Sequence, residues 1–373
     1  MAEQIKDILK ELMEKNQDSE LTGNNYRQLL KDMNKIISEI RNRYYKSKIT
    51  SEVQDDFKMS SVSELYEMNM QSIKDAEKRK DTMPLLTHYY RLDQLTGGFF
   101  KGEVIVIGGR PSQGKTTFAL NLAKHFARMD KIPVAYFTLE QSAEYMYCRL
   151  LKQYLDVSFQ KLYSGQINDE DIVTLEKIKD ILDQMPIFFN NGAINSFEQL
   201  EMEIIQAISN NCKIVFIDYL QMMKSDFHFH NRDLELSYIM RRIKQIAIEY
   251  KVPFILFSQL NRSVEMRSGN KRPQLSDLRD SGEIEQVADK VFFLHRPESY
   301  GFIVDEEGNS LQGILELIIA KNKTGNTGEV RFLLNGDTGI IKEKENQESV
   351  YESFLFTRDS KRLGDLTDED KPF

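Results

Sequence analysis

The residues from Gly109 to Thr116 read GRPSQGKT, a glycine-bounded loop closing on a lysine and a hydroxyl residue at fixed spacing. These residue types suit a chain of phosphates. Backbone N–H groups of such a loop turn inward around phosphate oxygens, an ammonium meets the β and γ phosphates, and a hydroxyl at the start of the next helix ligates Mg²⁺. Gly109, Arg110, Pro111, Ser112, Gln113, Gly114, Lys115, Thr116 and Thr117 are therefore the candidate nucleotide-binding residues, with ATP and Mg²⁺ the expected ligands. Hydrolysis needs more than a cradle. Asp218 ends the apolar run from Ile214 to Ile217 and is the second candidate metal ligand beside Thr116. Glu140 lies 25 residues past Lys115, at the end of another run, where a carboxylate can activate water. Its competing reading is a cap for the helix opening near Ser142. Gln259 ends a third run and reaches the same edge.

The elements that must carry these residues are short and β-rich. From Glu103 onward the runs Val104 to Ile107, Val134 to Leu139, Ile214 to Ile217, Phe254 to Phe257 and Val291 to Leu294 are continuously apolar and alternate with helical segments. That pattern predicts a mostly parallel sheet covered on both faces. The phosphate loop then falls between the first strand and a helix over Phe118 to Phe126, the context its chemistry requires. Ile314 to Ala320 and Glu329 to Leu334, split by a turn at Thr324 to Thr327, read as an antiparallel extension.

Ahead of this lie helical stripes, Ile5, Ile8, Leu9, Leu12 and Met13, then Tyr26, Leu29, Leu30, Met33, Ile36, Ile37 and Ile40. They predict a helical hairpin over 1–46. Residues 47–80 form a linker and a linker helix in which Ser61 and Glu64 have capping-box spacing. Its narrow apolar stripe suggests docking outside its own domain. The ATPase domain is assigned to 81–342. An acidic, mobile tail is expected over 343–373, with nine acidic and five basic side chains.

Composition excludes several classes. The chain has 373 residues, 40% hydrophobic and 29% charged, enough for one large core and a smaller unit and too rich for a disordered chain. Fifty basic against 58 acidic side chains leave a net charge of −8, which speaks against a nucleic-acid-binding coat but not against a local basic loop. Cys148 and Cys212 stand apart, with no metal-ligand spacing and no disulfide framework. His228 and His230 lack a third ligand. The charged start and the absence of a long apolar run predict a soluble, cytoplasmic protein without membrane contact.

Further strings bring a resemblance. LDQLTGGF at Leu92 to Phe99, GRPSQGKT, TLEQ at Thr138 to Gln141, IDYLQMM at Ile217 to Met223, SQLNR at Ser258 to Arg262 and KRPQLSDLRDSGEIEQVAD at Lys271 to Asp289 occur in this order. Together they resemble the RecA-like motor domain of bacterial DnaB-type replicative hexameric helicases, over about Arg91 to Asn335. The resemblance implies an α/β, RecA-like P-loop NTPase fold with Glu140 as general base, Asp218 on Mg²⁺ and Gln259 as γ-phosphate sensor. It implies a homo-oligomer, a hexameric ring with ATP between neighbours. Lys321 and Lys323, in the string AKNKTG, would then reach into the adjacent site. Lysine stands at 323 where the family has an arginine finger, and a point charge cannot make a bidentate fork.

The segment from Arg262 to Arg279 holds Arg262, Arg267, Lys271, Arg272 and Arg279 against Glu265 and Asp277. The resemblance makes it part of a channel loop for single-stranded DNA, with Arg262, Arg272, Arg279, Asp280 and Gly282 as the binding residues. Aspartate stands at 280 where the family has glutamate. The implied function is an ATP-dependent helicase moving 5′ to 3′ on single-stranded DNA during replication, in a bacterial cell or a phage-infected bacterium. A primase or helicase loader is the expected partner, although the N-terminal region reads as a shortened collar. Two other readings stand beside this one: a RecA-like strand-exchange or branch-migration ATPase, and a nucleotide-dependent loading ring that binds DNA without processive unwinding.

Overall fold

The computed structural model describes residues 60–74, 83–155, 157–267, 269–278 and 282–344. The expected hairpin over 1–46, most of the linker, Arg279, Asp280 and the tail beyond residue 344 lie outside the described residues. The chain divides into two units, Met1–Arg79 and Lys80–Phe373. In the first, a helix spans Val62–Lys74. The expected capping box is formed: Glu64 N–H donates to Ser61 Oγ at 3.1 Å and Ser61 N–H to the Glu64 carboxylate at 2.8 Å. Val62, Leu65, Tyr66 and Ile73 on this helix are exposed.

The second unit is built on one nine-stranded sheet in the order β3-β2-β4-β5-β1-β6-β7-β8-β9. The strands are β1 Val104–Gly109, β2 Val134–Thr138, β3 Ile187–Phe189, β4 Ile214–Asp218, β5 Phe254–Gln259, β6 Lys290–His295, β7 Ile314–Asn322, β8 Gly328–Leu334 and β9 Ile341–Glu343. The pairings among β1 to β6 are parallel. From β6 through β9 they turn antiparallel.

Continuity of the apolar runs has a direct structural cause. On β1, Val104 and Val106 enter one core with Phe197, Leu200, Ile239 and Ile243. Ile105 and Ile107 enter the other core with Phe118, Leu122 and Phe126. Helices Phe197–Ser209 and Arg232–Tyr250 therefore cover one face and helix Lys115–Met129 the other. A strand sandwiched in this way has no polar face, and each large side chain sealed there contributes roughly 1.5–3 kcal/mol. A satellite cluster of Leu151, Leu155 and Leu162 packs beneath helix Asp169–Asp183. None of the described helices is long and apolar enough to cross a membrane.

Two strands escape the sequence reading. β3 has three residues, and its apolar run Ile187–Phe189 is too short to stand out as a strand, with Phe188 at its centre exposed. β9 lies where the acidic tail was expected to begin. Glu343 is nonetheless buried, and its carboxylate accepts from Arg91 N–H at 2.9 Å and Leu92 N–H at 3.2 Å. Those bonds serve the opening amides of helix Tyr90–Thr96, so an acid that looked like tail composition closes a helix N-terminus.

Candidate nucleotide site

The ends of β1, β2, β4 and β5 meet at one edge. Gly109 on β1 is in register with Gln259 on β5, and Thr138 on β2 with Asp218 on β4. The backbone after β1 then turns sharply, with Ser112 at φ 63° and Gly114 at φ 91°. Gly114 precedes helix Lys115–Met129, whose first amides have no carbonyl one turn back and face the loop. β1 also needs a bare backbone at Gly108, where a Cβ would sit 2.9 Å from both Leu260 and Phe293.

The loop borders a cavity of about 780 Å³, within the range that holds a nucleotide-sized ligand. Pro111, Ser112, Gly114, Lys115, Thr116 and Thr117 line it, together with Glu140, Asp218 and Gln259. Gly109, Arg110 and Gln113 do not. Gln113 is buried and its Oε1 accepts from Arg296 N–H at 2.6 Å. Arg110 turns away to donate to Glu265 at 2.7 Å and to the Leu260 carbonyl at 2.8 Å. Those two side chains brace the loop from behind.

Lys115 Nζ donates to the carbonyls of Gly109 at 2.8 Å and Arg110 at 3.0 Å. Burial draws its pKa down to about 8, opposed by the charges of Asp218 and Glu140 and assisted by that of Arg110. Thr116 Oγ1 donates to Asp218 Oδ2 at 2.8 Å, and Tyr136 OH donates to the same oxygen at 3.1 Å. Burial pushes the Asp218 carboxyl above its ordinary value, against the bonds from Thr116 and Tyr136 and the charges of Lys115 and Arg149. A hydroxyl and a carboxylate oxygen in contact at the lip of a phosphate loop form a hard-oxygen donor set suited to Mg²⁺. Glu140 is exposed and faces the cavity. It is not the helix cap, because Ser142 holds that role through Tyr145 N–H at 3.2 Å.

Several lining residues carry no sequence signal. Arg149 Nη2 donates to Thr117 Oγ1 at 3.0 Å. Tyr145 and Phe159 form an aromatic wall with ring centroids 4.6 Å apart. Another part of the lining, Asn335 to Gly339, is fixed by buried Asn121, which donates to Gly339 O at 2.8 Å and accepts from Ile341 N–H at 3.2 Å.

Lys321 and Lys323 are elsewhere. β7 runs against β6, pairing Asn322 with Lys290, so both lysines lie at the opposite edge of the sheet, about 20 Å away at the usual rise of a strand. There Lys321 Nζ donates to the carbonyls of Glu285 and Gln286. Lys323 Nζ donates to Asp289 Oδ1 at 3.0 Å.

The basic loop is less free than its composition implies. Arg267 pairs with Asp277 at 2.6 Å, and Lys271 lies over the Tyr300 ring. Arg272 was a candidate DNA contact, but its guanidinium is held by Glu316 and Glu329 on the adjoining strands. It braces β7 and β8. Arg262 is exposed and makes no ion pair among the described residues, and Gly282 opens helix Gly282–Val287. No metal-ligand cluster of His, Cys, Asp and Glu occurs among the described residues.

A phosphate loop on β1, a carboxylate on β4 and an inserted strand β5 between them define a P-loop NTPase with a RecA-like sheet. Residues 84–342 match the DnaB-like helicase C-terminal domain. The chain belongs to that family. It is similar to a probable replicative DNA helicase of Trieres chinensis, 37% identical over 287 residues, or 76% of this chain and 62% of that protein. The replicative DNA helicase DnaB of Buchnera aphidicola subsp. Baizongia pistaciae is 35% identical over 299 residues, or 78% and 63% of the two chains. This chain thus spans less than two thirds of the length of these relatives. Among solved structures, an ATPase domain superposes with a TM-score of 0.68 at 30% identity, covering 77% of this chain and 100% of that one. A DnaB-like replicative helicase, described with its interactions with primase, gives 0.65 at 28% identity, covering 85% and 76%.

Proposed function

We propose that this chain is the motor of an ATP-dependent, ring-forming DNA helicase that moves 5′ to 3′ on single-stranded DNA and separates duplex during replication. One observation carries the reading. Lys115, Thr116, Glu140, Asp218 and Gln259 share one edge of the sheet, while Lys321 and Lys323 occupy the other. No single copy can unite the two sets, whereas neighbours in a closed ring can. A hexamer is the proposed count.

In this mechanism the loop amides and Lys115 hold the phosphates of ATP, and Glu140 takes a proton from the attacking water. Gln259 meets the γ-phosphate. Lys321 and Lys323 of a neighbouring copy stabilise the charge that develops on the transferred phosphoryl group. Thr116 and Asp218 would hold Mg²⁺, which when bound neutralises phosphate charge. Arg262 and Arg279, together with backbone N–H groups of the loop at Asp280 and Gly282, bind the phosphates of one DNA strand in a sequence-independent, salt-sensitive way. Family relatives that are replicative helicases, and a structural neighbour described with primase, support a primase or loader as partner and a bacterial cytoplasmic setting.

A forked duplex tests the reading. Unwinding that needs ATP, Mg²⁺ and a 5′ tail, with hydrolysis stimulated by single-stranded DNA, is expected, and Lys115→Ala removes both. Strand exchange without unwinding of the fork, or DNA-independent nucleotide binding without turnover, would give the function to a strand-exchange ATPase or a loading ring.

A further inference from the structure

Gln221 lies outside the cavity lining, yet its side-chain hydrogen bonds are directed at the residues that end β5. It sits in the single-turn segment Leu220–Met222, just after Asp218 and Tyr219. The β4–β5 ladder pairs Val215 with Phe254, Phe216 with Ile255 and Ile217 with Leu256, and ends there. Beyond that register a side chain takes over. Gln259 N–H donates to Gln221 Oε1 at 2.9 Å. Gln221 Nε2 donates to Ser258 Oγ at 2.8 Å and to Gln259 O at 3.3 Å. One primary amide thus meets both the N–H and the C=O of Gln259, as a neighbouring strand would.

On its other side Gln259 is in register with Gly109, the first residue of the phosphate loop. Gln221 is itself tethered. Its carbonyl accepts from Arg232 Nη2 at 3.0 Å, and Arg232 pairs with Glu235 at 2.6 Å. The Gln259 backbone is therefore clamped between the nucleotide loop and the segment after the candidate metal carboxylate. Leu260, the next residue, leads into the basic loop from Arg262 and is bound through its carbonyl to Arg110.

We infer that Gln221 is a positioning residue: it fixes the backbone of Gln259, so that the Gln259 amide meets the terminal phosphate of ATP and passes its presence to the basic loop beyond β5. This rests on the proposed reading of Gln259 as the γ-phosphate contact. Only an amide of this length supplies both an acceptor for N–H and a donor for C=O. Glutamate keeps the acceptor and loses the donor. Leucine keeps neither.

The test uses the full chain with Gln221→Leu and Gln221→Glu, titrated with fluorescent ADP and a non-hydrolysable ATP analogue, then assayed for hydrolysis with and without an oligothymidylate. Gln221→Leu is expected to bind ADP as the parent does and to lose the parent's preference for the ATP analogue. Its kcat falls on the order of ten- to a hundredfold, the scale of a reacting group displaced by about an ångström, and its KM for ATP rises with the weaker binding of the analogue. Gln221→Glu should fall between the two. Parental kcat and parental ATP preference in Gln221→Leu would overturn the inference. An equal loss for both nucleotides would overturn it too, because a merely structural role weakens both alike. If the parent hydrolyses ATP without responding to DNA, the helicase reading fails, while the ATP-to-ADP ratio in Gln221→Leu still decides the positioning role.

Discussion

The two ends of the sheet treat charge in opposite ways. At the end where the parallel strands finish, Lys115, Arg149, Glu140 and Asp218 surround a cavity of about 780 Å³. At the end where they begin, the charges satisfy one another. Asp289 accepts from Val104 N–H at 2.8 Å, Lys244 Nζ at 2.5 Å and Lys323 Nζ at 3.0 Å. Glu103 receives the fully buried Lys290 ammonium and Thr324 Oγ1. Burial pulls the Asp289 pKa up, but the bonds from Lys244, Val104 and Lys323 prevail and hold it below its ordinary value. The same strands thus produce a reactive edge and a self-neutralised edge. The difference lies in how the chain leaves each strand: at the reactive end a turn and a helix N-terminus project amides toward the cavity. Lys323 belongs to the neutralised edge and is still half exposed, so it is the cation there best placed to leave its carboxylate for a phosphate.

The contrast between the two edges breaks most severely at Lys323. Lys323→Ala is expected to lower kcat by about 10³-fold or more, the scale of a cation on a transferring phosphoryl group, while ADP affinity in a direct titration stays parental. Unchanged turnover would leave the neutralised edge with no part in chemistry. The purely structural side of that edge is tested at Glu103. Glu103→Ala strands a buried ammonium at Lys290 and should cost about 3–5 kcal/mol in urea unfolding, and an unaltered midpoint would show that the pair does not support the fold.

The basic segment offers a smaller contrast. Arg272→Ala removes a partner from nearly buried Glu316 and should cost roughly 1–3 kcal/mol of stability with DNA affinity retained. Arg262→Ala should do the reverse, weakening DNA of any sequence and reducing the salt slope of binding by about 1. Equal effects on DNA from both would place Arg272 at the interface as well.

The smallest effect is one of pH. Burial holds Lys115 at about 8, and a bound phosphate raises that value. Affinity is then constant below pH 8 and weakens above it, by at most about tenfold per pH unit, until the pKa of the bound state is passed. A titration of ADP affinity between pH 6.5 and 9.5, conditions chosen to bracket that value, checks the sign. Tighter binding at the alkaline end would contradict it.

Legibility in the sequence tracks the physics of each feature. Parallel strands such as β1 and β5 were legible because burial on both faces demands unbroken apolar runs. The phosphate loop was legible because its turns and its ammonium need fixed residue types at fixed spacing. β3 and β9 were not, since edge strands of three residues leave too short a run to read. Arg149, Asn121 and Gln221 act through partners 32 to 220 residues away, and no local pattern encodes such a pairing. The structural partners of Arg272 were hidden for the same reason. Its charge was visible in the sequence, and the two carboxylates that occupy it were visible only in the folded sheet.

In the proposed ring, the reactive edge of one copy is completed by the neutralised edge of another. Mixing two inactive chains tests this most directly: Lys115→Ala, with a disabled pocket and an intact lysine edge, and Lys323→Ala, with the reverse. Combined under conditions of subunit exchange, they should recover ATP hydrolysis, because an intact pocket then meets an intact Lys323 across mixed interfaces. A mixture as inactive as either chain alone, with exchange verified by labelled subunits, would contradict the claim.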